Sequence, residues 1–264
     1  MRVFAESAPD AAALASARAS GLGAREPAVS SEQLRWSRFL PATEAEGPGV
    51  RAALWVQGCA VRCPGCFNPQ MWAARGGQAT GAAAAAAAWV AAAQAGGAEG
   101  VTLLGGEPFD QAAALAVVAE TFRAAGLTVM SFSGYPLDAL ERWARRRPDI
   151  ARLLAATDLL CDGPYLREHP DARRPWIGST NQGIRALSER YADRVRAIDA
   201  DGERDRLEVR IHRDGRIAVN GWADDAALDA LLHDLGVRGD APSRSAPPRS
   251  VQPGRAPHRE ELVS

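Results

Sequence analysis

The chain has 264 residues, 47% of them hydrophobic, and a formal net charge of -1. That is room for one sizeable core, and the near-neutral balance excludes the field expected of a nucleic-acid or anionic-membrane binder. All 31 basic residues are arginine, so Schiff-base lysine chemistry is excluded. With so much alanine, this usage follows coding bias rather than a nucleic-acid signature. Four cysteines, three of them clustered, do not make a disulfide framework; they suit a reducing compartment. No run of 18 or more bulky apolar residues and no signal-peptide core is visible, so a cytoplasmic protein without membrane contact is expected.

Residues 1–30 are rich in Ala, Ser, Gly and Pro and read as a flexible extension. The folded unit is expected over 31–222 and begins with an edge strand, Leu34–Leu40. Pro41–Gly49 follows as a turn-rich loop. Its Glu44 and Glu46 fit either a solvated loop or the mouth of a site. Ala52–Val56 reads as a short buried strand, and Cys59, Cys63 and Cys66 follow it in the spacing C-x3-C-x2-C. Zinc wants four closed ligands, or three and a water, and no histidine lies near enough to be an obvious fourth. Three thiolates on a [4Fe–4S] cube leave one iron free for a substrate or cofactor. A zinc knuckle is the bland alternative. Loops at the carboxyl ends of strands are where parallel α/β folds place their chemistry.

Thr80–Ala95 is expected as an alanine-built helix anchored by Trp89 and Val90 and stopped by Gly96-Gly97. Gly100–Leu104 is the next strand, ending in Gly105-Gly106-Glu107-Pro108. Adjacent glycines let a backbone pass close to a ligand, although such a turn is also common between a strand and a helix. A helix from Gln111 to Ala125 and a third parallel strand, Leu127–Phe132, come next. Ser133-Gly134-Tyr135 stands at that strand's carboxyl end. The helix Leu137–Arg147 finishes in Arg145, Arg146 and Arg147, which suit its negative end without a ligand. A short helix, Ile150–Ala156, leads to a buried strand, Leu159–Cys161. Cys161 is therefore a core residue and not a ligand. Asp162 and Gly163 close that strand.

The Cys59–Asn68 run resembles the cluster loop of the radical S-adenosylmethionine superfamily. Cys63-Pro64-Gly65-Cys66-Phe67-Asn68 resembles in particular the activating-protein subfamily of the anaerobic ribonucleotide reductase. The Gly105–Pro108 turn, one βα unit later, is similar to the superfamily's second motif. Gly178-Ser179-Thr180-Asn181-Gln182 is similar to the subfamily's last functional loop. The resemblance covers Leu34 to Tyr191. It implies an α/β fold, an open partial (βα) barrel with a parallel sheet. It also implies that Cys59, Cys63 and Cys66 hold three irons of a [4Fe–4S] cluster. Gly105, Gly106 and Glu107 would hold the amino group of S-adenosylmethionine. Gly65, Phe67, Ser133, Asp162 and Asn181 complete the implied cofactor contacts. For Ser133-Gly134-Tyr135 an ordinary turn stands beside that reading. For Asp162 a helix cap does, and for Thr180 or Asn181 the cap of a helix reaching Tyr191.

The implied activity is oxidoreductase chemistry of the radical type. An electron from reduced flavodoxin or ferredoxin breaks S-adenosylmethionine, and the resulting 5′-deoxyadenosyl radical abstracts hydrogen from the substrate. The first expectation is a glycyl-radical-enzyme activase acting on a partner protein. The second is modification of a peptide or small molecule by the same machinery. A non-catalytic iron–sulfur or zinc module is a remote third, against which an amino-acid-binding turn argues. Beyond the barrel, Arg206–Ile211 and Arg216–Val219 around Asp214-Gly215 predict a hairpin. A short helix over 223–238 and a disordered tail over 239–264 complete the reading.

Overall fold

Strand β2 (Arg51–Val56) has every residue buried, which the continuous apolar run Ala52–Val56 requires of a strand covered on both faces. It lies inside a seven-stranded sheet of order β3-β1-β2-β4-β5-β6-β7. The partners are β1 (Gln33–Thr43), β3 (Gln78–Gly81), β4 (Gly100–Gly105), β5 (Thr128–Phe132), β6 (Leu159–Asp162) and β7 (Gly183–Ala186). The four central strands β2, β4, β5 and β6 run parallel. The outer pairings, β1 with β2 and β3 and β7 with β6, are antiparallel. This is a mixed α/β architecture with a parallel centre.

The computed structural model describes residues 33–211, 217–221, 230–231 and 233–234. The expected N-terminal extension, the tail and most of the expected 223–238 helix lie outside these. Residues to Asp224 form one compact unit and those from Asp225 a second. All the strands and helices named here belong to the first. Among the described residues no helix is long and apolar enough to cross a membrane.

Alternation along the strands divides the core in two, because successive side chains point to opposite faces. On one face Leu54, Val56, Val101, Leu103 and Val129 pack against helices α1 (Ala82–Ala95), α2 (Ala112–Ala124) and α4 (Pro148–Ala156). Alanine lets α1 lie close, and Trp89 supplies the bulk, edge-on to Trp36 and stacked on Phe39 with both centroid distances 5.3 Å. On the other face Trp55 and Leu104 pack with Leu40 and Met71, and Met130, Leu159 and Cys161 pack with Trp176, Ile177 and Ile184. Cys161 is buried among these, as expected.

Several boundaries differ from the expectations. Strand β1 runs on through Pro41 to Thr43, where a loop was expected. Proline is tolerated there because β3 pairs only with Gln33–Trp36 and the register to β2 shifts between Leu40 and Thr43. Thr80 and Gly81 belong to β3, and the helix starts at Ala82. The arginine-rich helix is shorter than expected: α3 (Leu137–Ala144) ends before Arg145, and the next helix, α4, opens at Pro148 rather than Ile150. The Gly178–Gln182 loop enters strand β7 rather than a helix. Helix α5 (Ala192–Asp201) begins beyond Tyr191, so neither Thr180 nor Asn181 caps it. The hairpin forms as β8 (Leu207–Ile211) and β9 (Ile217–Gly221), antiparallel, with its turn outside the described residues.

One charged side chain sits where a strand start reads as exposed. Arg51 is wholly buried under the amino-terminal ends of β2, β4 and β5. Its guanidinium donates to Thr102 Oγ1 (2.8 Å), Thr128 Oγ1 (3.0 Å), Tyr191 OH (3.2 Å) and the carbonyls of Val101 (2.6 Å) and Thr128 (3.3 Å). Burial lowers its pKa from the ordinary arginine value.

Candidate active site at the carboxyl end of the sheet

Parallel strands bring their carboxyl-terminal loops to one edge, and three such loops meet here. The cysteine loop leaves β2 and is closed at its neck by the chain itself. Gly58 N–H donates to the Met71 carbonyl (2.8 Å) and Cys59 N–H to that of Trp72 (3.2 Å). The Gln57 amide donates to the carbonyls of Gln70 (3.2 Å) and Ala73 (2.8 Å). Within the loop a turn joins Cys66 N–H to the Cys63 carbonyl (3.0 Å). Arg62 takes a left-handed φ of 51°, which costs a non-glycine residue energy and is common where a loop is shaped for function.

The loop after β4 is locked to the cysteine loop, backbone against backbone. Gly106 N–H donates to Val56 O and Glu107 N–H to Gly58 O, both at 2.8 Å. A Cβ on Gly106 would stand 2.2 Å from the Gly58 oxygen, and one on Gly105 (φ 105°) would stand 2.8 Å from Val56 N. The glycine pair is therefore demanded by the approach of two loops to each other, in addition to any ligand.

The Glu107 carboxylate ties in the third loop. Oε1 accepts from Phe109 N–H (2.9 Å) and the Ser133 hydroxyl (2.9 Å), and Oε2 accepts from Gly134 N–H (2.7 Å). It is 1% exposed, and burial pushes its pKa to about 7, against the pull of those three donors. Burial likewise raises the thiols of Cys59 and Cys63. Asp110, four residues on from Gly106, accepts from Ala60 N–H (2.8 Å) and the Tyr135 hydroxyl (2.9 Å). Burial, then that carboxylate, pushes the Tyr135 phenol above its ordinary value.

An open cavity of about 140 Å³ lies between these loops. Cys59, Cys63, Cys66 and Phe67 line it with Gly105, Gly106, Glu107 and Ser133. Eight of the expected site residues are thus brought together. Three are not. Gly65 (φ 80°) is off the cavity wall, and a Cβ there would meet the Arg167 guanidinium at 2.7 Å. The Asp162 carboxylate is occupied by Leu137 N–H (2.8 Å) and Arg185 Nε (3.0 Å), the helix-end role named as its alternative. Asn181 is exposed and donates to the Pro164 carbonyl (2.7 Å).

From that loop Gly178 and Gln182 line the cavity. The Gln182 side-chain oxygen accepts from Gly178 N–H (2.9 Å) and Ser179 N–H (3.1 Å), and its amide donates to Gly163 O (3.0 Å). The Gly-Ser-x-Asn-Gln run does reach the cavity, but through Gln182 and Gly178 and not through Asn181. Sequence reasoning named Phe67 but missed its aromatic neighbours Tyr165 and Trp176. Phe67 and Tyr165 pack with centroids 5.0 Å apart against Gly178, where a Cβ would meet both rings at about 3 Å. Trp176 lines the cavity at φ 67°, held by a bond from its N–H to Asp205 Oδ1 (2.7 Å).

The donor set fits an iron–sulfur cube with an open corner. Three cysteines line one cavity, and three thiolates on a cube leave one iron free for a ligand. Beside them stands the buried carboxylate of Glu107, held by three neutral donors. That is the environment an ammonium group would stabilise.

The chain belongs to the 4Fe-4S single cluster domain family, whose model matches residues 45–185, more than half of the sequence. It is 27% identical over 159 residues to the anaerobic ribonucleoside-triphosphate reductase-activating protein of Escherichia coli (strain K12), covering 58% of this chain and 99% of that protein. The protein of the same name from Enterobacteria phage T4 is 27% identical over 154 residues, covering 57% of this chain and 93% of its own. A 35-residue stretch, 13% of either chain, is 46% identical to the pyruvate formate-lyase-activating enzyme of Streptococcus mutans serotype c. The family match and these relatives identify a radical S-adenosylmethionine enzyme of the activating type, whose cofactors are a [4Fe–4S] cluster and S-adenosylmethionine.

Proposed function

We propose that this protein activates a glycyl-radical enzyme by taking a hydrogen atom from a glycine of that partner; its relatives are named as activating a reductase and a lyase. The observation that carries the reading is the meeting of Cys59, Cys63 and Cys66 with Gly105, Gly106 and Glu107 on one cavity wall. The working unit is residues 31–222, a partial barrel with helices α1, α2 and α4 on one face of its sheet, acting in the cytoplasm. Reduced flavodoxin or ferredoxin supplies the electron.

Cys59, Cys63 and Cys66 hold the cluster as thiolates. Loading therefore displaces protons, which burial makes harder to remove from Cys59 and Cys63. When bound, the cluster and S-adenosylmethionine supply one-electron cleavage of a sulfonium and a carbon-centred oxidant able to take a hydrogen atom. Gly105 and Gly106 present backbone to the amino-acid part of that cofactor, and Glu107 offers its ammonium a carboxylate. Glu107 also fixes the β5 loop by holding Ser133 and Gly134. Phe67, Tyr165 and Trp176 form an apolar wall that excludes water from the reacting groups.

The test is anaerobic reconstitution, iron analysis and assay of 5′-deoxyadenosine with a chemical reductant. This is followed by electron paramagnetic resonance of a candidate glycyl-radical partner. Cleavage without any glycyl signal would keep the chemistry and overturn the assigned substrate. Absence of both iron binding and cleavage would overturn the whole reading.

A further inference from the structure

The corner between α3 and α4 forms a basic, aromatic depression apart from the cavity. Arg142, Arg145, Arg146 and Arg147 line it with Trp143, Tyr135 and the single carboxylate Asp110. All four arginines are exposed. Arg142 is paired with Asp138 and Arg147 with Asp149. The side chains of Arg145 and Arg146 make no ion pair among the described residues, and Glu141 on the same helix does not line the depression. On a chain of net charge -1 this is a local concentration of positive charge. Trp143 is 42% exposed in its midst. An exposed tryptophan ringed by arginine is the composition of an interface anchor.

A contiguous path runs inward from it. The Trp143 ring packs edge-on against Tyr135 with centroids 4.9 Å apart. The Tyr135 hydroxyl donates to Asp110 (2.9 Å), and Asp110 accepts from the N–H of Ala60, the residue after Cys59. The depression shares no lining residue with the cysteine cavity.

We propose that this corner is the docking surface for an acidic one-electron carrier protein, and that Trp143, Tyr135 and Asp110 join it to the Cys59 end of the cysteine loop. The inference rests on the reading of the cavity given under Proposed function. Charge complementarity selects an acidic partner. Separation from the cavity selects the electron carrier over the protein substrate, because a substrate glycine must enter the cavity while a carrier must leave it free. In the step served, the carrier is oxidised by one electron and the cluster held by the three cysteines is reduced by one. No group is transferred.

The experiment titrates full-length, cluster-loaded protein with an oxidised flavodoxin as probe, by calorimetry at low and high salt. The wild type is compared with R145E/R146E and with the charge-keeping R145K/R146K. Charge reversal is expected to weaken binding at least tenfold at low salt, an effect shrinking at high salt; the lysine variant is expected to bind like wild type. Cleavage of S-adenosylmethionine driven by dithionite is expected to be equal in all three, while flavodoxin-driven cleavage falls in the reversed variant alone. Equal binding by wild type and reversed variant, or no binding by wild type, would overturn the proposal. So would a reversed variant that loses only glycyl-radical formation, since the surface would then belong to the substrate. Failure of dithionite-driven cleavage in wild type would instead sink the reading of the cavity, and the titration would still decide the docking surface.

Discussion

Replacing Glu107 by glutamine in cluster-free protein tests how the three loops are held. Burial lifts this carboxyl from 4.5 to about 7. Between those values the folded protein keeps a proton that the unfolded chain has released. Raising the pH through that window therefore favours unfolding. The rise corresponds to about 3 kcal/mol, fully present below pH 4.5, lost progressively up to about pH 7 and absent above it. Glutamine does not titrate, so the variant should lack this slope. Its amide also presents donors where the carboxylate accepted. Whichever way it turns, Gly134 N–H or Phe109 N–H faces a donor, while the Ser133 hydroxyl can rotate to accept. One buried N–H left unpaired costs about 1–3 kcal/mol. Urea unfolding followed by circular dichroism at pH 5, 6, 7 and 8 reads both effects. Wild type should exceed the variant clearly at pH 5, and the gap should close by about 3 kcal/mol by pH 8. Parallel slopes in the two proteins would refute Glu107 as the titrating group and with it the account of its burial.

Gly106→Ala drives a Cβ to 2.2 Å from the Gly58 oxygen, so the β4 loop must part from the cysteine loop. A loss of about 1–3 kcal/mol in urea unfolding and less iron per reconstituted chain are expected. Arg51→Ala leaves a cavity and strips its partners of five donated bonds; a loss of about 3 kcal/mol or more is expected from the same assay. Changing Cys59, Cys63 or Cys66 to serine should each lower the iron content, whereas Cys161→Ala, in the core, should leave about four irons per chain.

What could be read beforehand follows from where burial is continuous. β2, β4, β5 and β6 are buried along nearly their whole length because both faces are covered, and the apolar runs inside them stand out. β3 alternates between half-buried and exposed residues and β7 is half open. Four such residues carry little periodic signal, and their strands form only because a neighbour offers an unpaired edge. Arg51 was invisible for a related reason: a charge at the start of a strand reads as solvated, and only the fold brings Thr102, Thr128 and Tyr191 around it. The three cysteines and the glycine pair were legible because chemistry and close approach constrain residue type directly. The placements of Asp162, Asn181 and Gln182 were not. A short polar loop fixes which residues are near a site, but not which of them turns inward.

The neck of the cysteine loop is built apart from its ligands. Its closing bonds run from Gly58 to Met71, from Cys59 to Trp72 and from Gln57 to Gln70 and Ala73, and none of them uses a sulfur atom. In small zinc domains the metal is the fold, and the chain is shapeless until it binds. Here bonds between polypeptide groups shape the neck of the receptacle. Shape and ligand set are therefore separate parts of the loop: a cysteine substitution removes a ligand and leaves the closing bonds in place, while a change at Gln57 loosens the neck and leaves every thiol in place.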